Sequence, residues 1–264
     1  MPILLTARRF LPLFVAQFLG AANDNFFKNA LLVLVVFRLA GEAGANGSEI
    51  VNIAAALFIL PFFLFSALAG QLADRMSKSR LIGRIKLAEI FVMGLGVAAF
   101  LSGDIGIMLG VLFLMGTQSA FFGPAKYAIL PELLAEKELV AGNALIEAGT
   151  FLAILAGTIA AGLIILTDNG ITLSATIIMV LAVTGWAASR AIPATAAQNP
   201  GMKISYDLAG QTIRILRQER ETVPSFCQFS ASAGSGWSVP HSLPSFRPSP
   251  ATWLAVTKLL SPCS

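Results

Sequence analysis

Apolar and polar positions alternate along this chain in long blocks. Six apolar blocks stand out, at residues 10–39, 50–69, 86–101, 105–122, 141–166 and 171–188. Each is on the scale of the ~20 residues that a helix needs to cross a hydrocarbon core. The pattern therefore predicts an all-α membrane protein with six transmembrane helices. The first block is unlike the others, because Asn23, Asp24, Asn25, Lys28 and Asn29 interrupt its centre. An ionised carboxylate at such a depth costs about 2.5–3.5 kcal/mol on the insertion scale. Gln17, Asp24 and Lys28 fall at i, i+7 and i+11, one stripe of an α-helix, and Asn25 and Asn29 form a second polar edge beside it. The first helix has a wet face, and the rest of the chain must supply what that face meets.

Smaller features refine the picture. Pro61 predicts a kink in the second helix, tolerable where neighbouring helices satisfy the freed carbonyl. Gly94, Gly96, Gly110, Gly116, Gly157 and Gly162 punctuate the third to fifth helices and predict close helix approach. The opening residues also fit a signal peptide, with Arg8 and Arg9 ahead of an apolar core. Because the apolar run continues past Asn29 and further blocks follow, a first transmembrane helix fits better.

Charge sets the topology. Arg8 and Arg9 precede the first block, and Arg75, Lys78, Arg80, Arg84 and Lys86 fall between the second and third. Lys126 and Lys137 lie between the fourth and fifth, and Arg190, Lys203, Arg214, Arg217 and Arg220 follow the sixth. The opposite breaks hold only Arg38. The positive-inside rule then places the N-terminus and the segment after the sixth helix in the cytoplasm.

The organisation read from these blocks is a six-helix membrane bundle over 1–190, a cytoplasmic linker over 191–223 and a tail over 224–264. Within the linker, 204–221 has the pattern of an amphipathic helix, with Leu208, Ile213 and Leu216 toward one side and arginines opposite. Such a helix either links two bundles or lies on the lipid surface. The tail holds ten serines and six prolines and no acidic residue. It has no helical or strand period, and it reads either as out-of-frame translation of a longer protein or as a disordered Ser/Pro-rich segment.

Composition agrees with the pattern and narrows the chemistry. The chain is 56% hydrophobic and 12% charged, against about 25% charged in soluble domains. Its net charge of +4 comes from loop residues and carries no implication of nucleic acid. The sole histidine, His241, and both cysteines, Cys227 and Cys263, lie in the tail. His-based catalysis, zinc chemistry and a disulfide framework are therefore not expected, and neither is a cofactor. A polytopic membrane enzyme such as an acyltransferase would need a nucleophile or a His-Asp constellation within the spans, and the only histidine, His241, lies in the tail.

The loop running Gly70, Gln71, Leu72, Ala73, Asp74, Arg75, Met76, Ser77, Lys78, Ser79, Arg80 joins the second and third blocks. It resembles the loop motif of the major facilitator superfamily: glycine, three residues, aspartate-arginine, then further basic residues. Gly70 would permit a close helix contact, and Asp74 would pair with a basic loop residue or face a helix N-terminus, latching one conformation. Ser77 stands where the family usually has a second glycine. A narrower resemblance is to the bacterial lysophospholipid transporter family. It is carried by AQFLGAANDNFF, GQLADRMSKSR, FFGPAKYAILPELL and the segment 143–148, and it covers roughly residues 10–220.

That resemblance implies the N-terminal half of a facilitator, built of two inverted three-helix repeats and working by alternating access. It implies movement of lysophospholipids, chiefly lysophosphatidylethanolamine, to the cytoplasmic leaflet of the bacterial inner membrane. There an acyltransferase/acyl carrier protein synthetase re-acylates them. Asp24 and Asn25 match the family's intramembrane Asp-Asn, so Asp24 would accept a headgroup ammonium with Gln17 and Asn25 as neighbours; the alternative is a structural ion pair with Lys28. Lys126, in Pro124-Ala125-Lys126-Tyr127 at the end of the fourth span, would meet a lipid phosphate or a gating carboxylate; the alternative is a snorkelling interfacial lysine. Asn143 and Glu147 share a face of the fifth helix, and Glu147 would meet Lys126 or line the cavity. Gln118 is a weaker cavity candidate whose place echoes Gln17, and Glu89 reads as an interfacial charge. Phe58, Phe62, Phe63 and Phe65 would hold or release an acyl chain. The rival substrate class is a drug or small ion-coupled solute. Because six helices form one wall of such a cavity, the 264-residue chain is not expected to transport by itself, and lysolipid flipping by it in liposomes would overturn that.

Overall fold

The computed structural model describes residues 2–36, 47–197 and 201. Arg38, the amphipathic segment 204–221 and the tail 224–264 lie outside the described residues. Seven helices are formed within them: α1 (Pro2–Thr6), α2 (Leu11–Leu34), α3 (Gly47–Arg75), α4 (Lys78–Ser102), α5 (Ile105–Leu133), α6 (Glu136–Ile164) and α7 (Gly170–Arg190). Among the described residues, the five helices α3 to α7 are long and apolar enough to cross a membrane. The 24 residues of α2 extend ~36 Å at 1.5 Å per residue, enough for a core of ~30 Å. Its polar residues dilute its hydropathy, and it sits inside the bundle.

Several helices outrun the apolar blocks at the basic end. α3 continues to Arg75, α4 begins at Lys78, and α5 runs through Pro124 and Pro131 to Leu133. Pro124 therefore lies within a helix and does not end it, and Pro61 is likewise carried inside α3. Hydropathy marks only the lipid-immersed part of a helix, whereas the backbone bonds continue into the headgroup layer. Short turns separate α3 to α7. Gly103, at φ 70°, closes α4 by donating to the Ala99 carbonyl at 3.1 Å, and the Asp104 carboxylate opens α5 by accepting from the Ile107 N–H at 3.0 Å. Gly103 takes a left-handed conformation that disfavours a side chain. The turn between α3 and α4 uses Ser77 at φ −57° and ψ 120°. That is ordinary backbone for a serine, so a glycine is not required there.

Packing reveals two related units. α2 packs chiefly on α6 and α7, α3 on α5, and α4 on α7 and α5, while the α3/α4 and α6/α7 neighbours barely touch. Exchanging α2 with α5, α3 with α6 and α4 with α7 maps this pattern onto itself. Each unit contains an odd number of crossings, so the second lies inverted relative to the first, as an inverted repeat requires. α2 and α6 run parallel with a constant offset of 129 residues, seen where Arg9 meets Glu138 at 2.8 Å, Gln17 meets the Ile146 carbonyl at 3.2 Å and Asn29 meets Thr158 at 3.0 Å. α6 turns Gly142, Gly149, Ala153, Gly157 and Ala161 into this interface. A Cβ on Gly157 would overlap the Ala22 carbonyl, and one on Gly116 would overlap that of Phe58, so these two positions set the closest approach in the α2–α6 and α3–α5 pairs. Gly96 has a similar role against Phe27, at 3.0 Å, whereas Gly110 and Gly162 face open space.

The core is layered along the membrane normal. One apolar cluster gathers Phe26, Phe27, Leu31, Phe100, Leu112 and Ile178, and a second gathers Phe10, Leu13, Ile82, Ile129, Leu130 and Ile146. On α2, α4 and α5 the segments between the two clusters carry buried polar residues, among them Gln17, Asn23, Lys86, Glu89 and Gln118. The outer surface is strongly apolar, with Phe63 of α3, Phe91 of α4 and Leu163 of α6 each about 70% exposed.

Candidate functional site

The polar layer between the two clusters is the candidate site. α2 supplies Gln17, Asn23, Asp24 and Asn25, α4 supplies Lys86 and Glu89, and α5 supplies Gln118 and Ser119. At its heart the Lys86 ammonium donates to the Glu89 carboxylate at 2.6 Å, and both side chains are 1% exposed. Asn23 Nδ2 donates to the other Glu89 oxygen at 3.3 Å, and Gln118 Nε2 donates to the first at 3.2 Å. Lys86 also lies 4.8 Å from the centre of the Phe122 ring. An ion pair this deep must be well hydrogen-bonded to repay its desolvation, and these contacts join three helices to do so. Gly20 makes room for the arrangement, since a Cβ there would collide with the Lys86 ammonium.

Beside this pair lies Asp24. One carboxylate oxygen accepts from the Ser119 hydroxyl at 2.6 Å, and the other is buried with no hydrogen-bond partner among the described residues. Lys28, Lys86 and Glu89 are its charged neighbours. Asp24 opens onto a cavity of roughly 250 Å³ also lined by Gln17, Asn25, Lys126 and Thr150, with Phe58, Phe62 and Phe122 as its apolar side. A buried acceptor without a partner is costly in a membrane interior, and the residue that carries it lines this cavity.

The sequence-derived candidates divide. Gln17, Asp24, Asn25 and Lys126 come together at the cavity. Gln17 is engaged at both ends of its amide, donating to the Ile146 carbonyl at 3.2 Å and accepting from Thr150 at 3.0 Å, so it ties α2 to α6 as well as lining the space. Lys28 does not form the structural ion pair with Asp24. Its ammonium donates to Asn25 at 3.1 Å and lies 5.4 Å from the Phe58 ring centre. Lys126 lies over the ring of Tyr127 at 4.5 Å, and the Tyr127 hydroxyl donates to Glu147. Glu147 and Asn143 stand away from the cavity lining, and Asn143 is exposed with its amide on the Leu139 carbonyl at 3.0 Å.

Glu89 is a correction. It is fully buried and central, where the sequence reading had placed it at the membrane edge. Lys86 likewise belongs to the interior and not to the loop charges. Both were missed because they lie where the apolar block gives way to basic residues. The available signal was their spacing, opposite charges at i and i+3 on one face of a helix.

The motif loop is largely helical. Gly70 and Asp74 lie on the last turns of α3, and no atom lies within 4 Å of where a Gly70 Cβ would be, so Gly70 makes no close helix contact. Asp74, Arg75 and Arg80 are exposed, and Asp74 forms no ion pair among the described residues. Lys78 differs: it is 1% exposed and ion-paired with Glu132 of α5, which pins the start of α4 to the end of α5.

Comparison with known proteins places these features. The profile of the Major Facilitator Superfamily matches residues 13–261. The chain is 35% identical over 208 residues to "Lysophospholipid transporter LplT" of Salmonella paratyphi A and to its counterpart in Salmonella agona, matches covering 76% of this chain and 46% of each relative. It is 34% identical to the protein of the same name in Salmonella newport, with the same coverage. The chain thus spans about half the length of these curated relatives.

Proposed function

The chain belongs to the major facilitator superfamily, and we propose that within it the six helices form the N-terminal half of a lysophospholipid transporter. It is a multi-pass membrane protein and a transporter by family, not an enzyme. The carrying observation is the cavity that Asp24, one of whose oxygens has no hydrogen-bond partner among the described residues, and Lys126 line together with Phe58, Phe62 and Phe122. A lysophosphatidylethanolamine headgroup offers the complement: an ammonium for Asp24, a phosphate for Lys126, and amide-bonding oxygens for Asn25. At roughly 250 Å³ the space falls below the ~300–1,000 Å³ of sites that enclose a drug-sized ligand. It suits a headgroup, with the acyl chain left outside along the phenylalanines. The names of the relatives support this substrate class.

The remaining steps of the reading are alternating access and delivery to the cytoplasmic leaflet of the bacterial inner membrane. In this reading the N-terminus lies in the cytoplasm, which the basic residues at the end where α3 meets α4 support. A lysolipid delivered there is an acyl acceptor, so functional coupling to an acyltransferase/acyl carrier protein synthetase belongs to the proposal. The test is lysophosphatidylethanolamine binding to the chain in nanodiscs. Asp24→Asn and Lys126→Ala should each weaken it roughly 10- to 100-fold, the worth of a charge-assisted hydrogen bond. Unchanged affinity in both variants, or equal binding of an uncharged drug-like solute, would overturn it.

A further inference from the structure

A second cavity, of roughly 380 Å³, lies over the seam between α4 and α7 at the basic end of the bundle. It shares no lining residue with the central cavity. Ser79, Arg80 and Arg84 of α4 face Trp186, Ser189 and Arg190 of α7 across it. Arg80, Arg84 and Arg190 are exposed and form no ion pair among the described residues, and no carboxylate is among the lining residues. Arg190 lies 5.8 Å from the centre of the Trp186 ring. Three guanidiniums around one groove repel each other unless a counter-charge joins them. Further from the basic end, the same two helices present Leu87, Phe91 and Val183, 42%, 68% and 42% exposed, to the surrounding lipid. The groove therefore sits where basic residues and a tryptophan meet the hydrocarbon, the level of phospholipid headgroups.

We propose that this groove binds the phosphate of an anionic phospholipid, whose acyl chains lie along Leu87, Phe91 and Val183. Arginine forks match phosphate oxygens in pairs, and three of them give the site a preference for net negative headgroups over zwitterionic ones. α4 and α7 belong to different three-helix units, so a lipid bridging them fastens one unit to the other. The seam already carries one clasp at its tip, where the Ser79 N–H donates to Thr195 at 3.2 Å and the Thr195 N–H donates back to Ser79 at 3.1 Å. This site is independent of the substrate proposed for the central cavity.

The experiment is native mass spectrometry of the chain released from micelles carrying phosphatidylglycerol, phosphatidylethanolamine or soluble glycerol phosphate. Phosphatidylglycerol should remain bound where phosphatidylethanolamine is lost. The combined Arg80→Gln, Arg84→Gln, Arg190→Gln variant should weaken retention at least tenfold. Gly83→Leu should do the same, because no atom lies within 4 Å of its Cβ position and the new side chain fills the groove without disturbing the helices. If the triple variant fails to fold, Gly83→Leu decides the matter. Equal retention of the two phospholipids, or full phosphatidylglycerol retention in Gly83→Leu, would overturn the site. Glycerol phosphate held as tightly as the lipid would overturn the lipid assignment.

Discussion

Replacing Glu89 by leucine should unfold the bundle more readily than replacing Glu89 and Lys86 together. In the single variant the Lys86 ammonium, 1% exposed, loses the one ion-pair partner it has among the described residues. Stranding one member of a buried pair costs about 3–5 kcal/mol. In the double variant Lys86→Met, Glu89→Leu no charge is stranded, and the losses are the hydrogen bonds from Asn23 and Gln118. Interhelical hydrogen bonds in a bilayer average about 0.6 kcal/mol each, so the double variant should lose roughly 1 kcal/mol. The Glu89 single variant should therefore be about 2–4 kcal/mol less stable than the double variant. Lys86→Met alone should fall between, because Glu89 keeps both amide donors. The assay is reversible unfolding in mixed micelles followed by helical circular dichroism. Agreement of the single and double Glu89 variants within about 0.5 kcal/mol, the limit for independent sites, would refute the reasoning.

Gly157→Ala drives a methyl into the Ala22 carbonyl and should destabilise by about 1–3 kcal/mol, while Gly110→Ala and Gly162→Ala, which meet nothing, should leave the unfolding midpoint unchanged. Glu132→Gln removes the counter-charge of the buried Lys78 ammonium and should lower the thermal midpoint, whereas Arg9→Gln, which breaks the exposed contact with Glu138, should not. The parallel register of α2 and α6 is open to cross-linking: with Cys227 and Cys263 replaced by serine, Asn29→Cys should form a disulfide with Thr158→Cys but not with Thr150→Cys. Mass spectrometry of tryptic peptides under oxidising conditions reads this directly.

Much of the fold was legible because a bilayer constrains sequence severely. Six blocks gave six spans, and Asp24 stood out because a carboxylate within an apolar block is conspicuous whatever surrounds it. Gln17 and Asn25 were legible through helical spacing from Asp24. Three things were hidden. Helix ends were misplaced because α4 and α5 continue beyond the lipid, a matter of backbone hydrogen bonding that hydropathy does not record. Lys86 and Glu89 were assigned to the interface because a residue's depth depends on where its helix begins, and α4 begins eight residues before the apolar block. Ser119, whose hydroxyl holds Asp24, is a common residue with no pattern of its own. Asn143 and Glu147 share a helix face as their spacing demanded, yet that face does not line the cavity, and spacing alone does not say which way a face is turned.

The 129-residue offset between α2 and its main partner α6 also sets a schedule. A ribosome adds about 5–20 residues per second, so α6 is complete roughly 7–26 s after α2. During that interval the most polar span of the protein has entered the membrane without the helix that receives Gln17 and Asn29. Something else must shelter it, whether the insertion machinery, a chaperone or a temporary pairing with α3 and α4. Quality control by membrane proteases should be most discriminating in this window. Substitutions on α6 that loosen the α2 interface should then reduce the amount of protein made before they reduce what each molecule does.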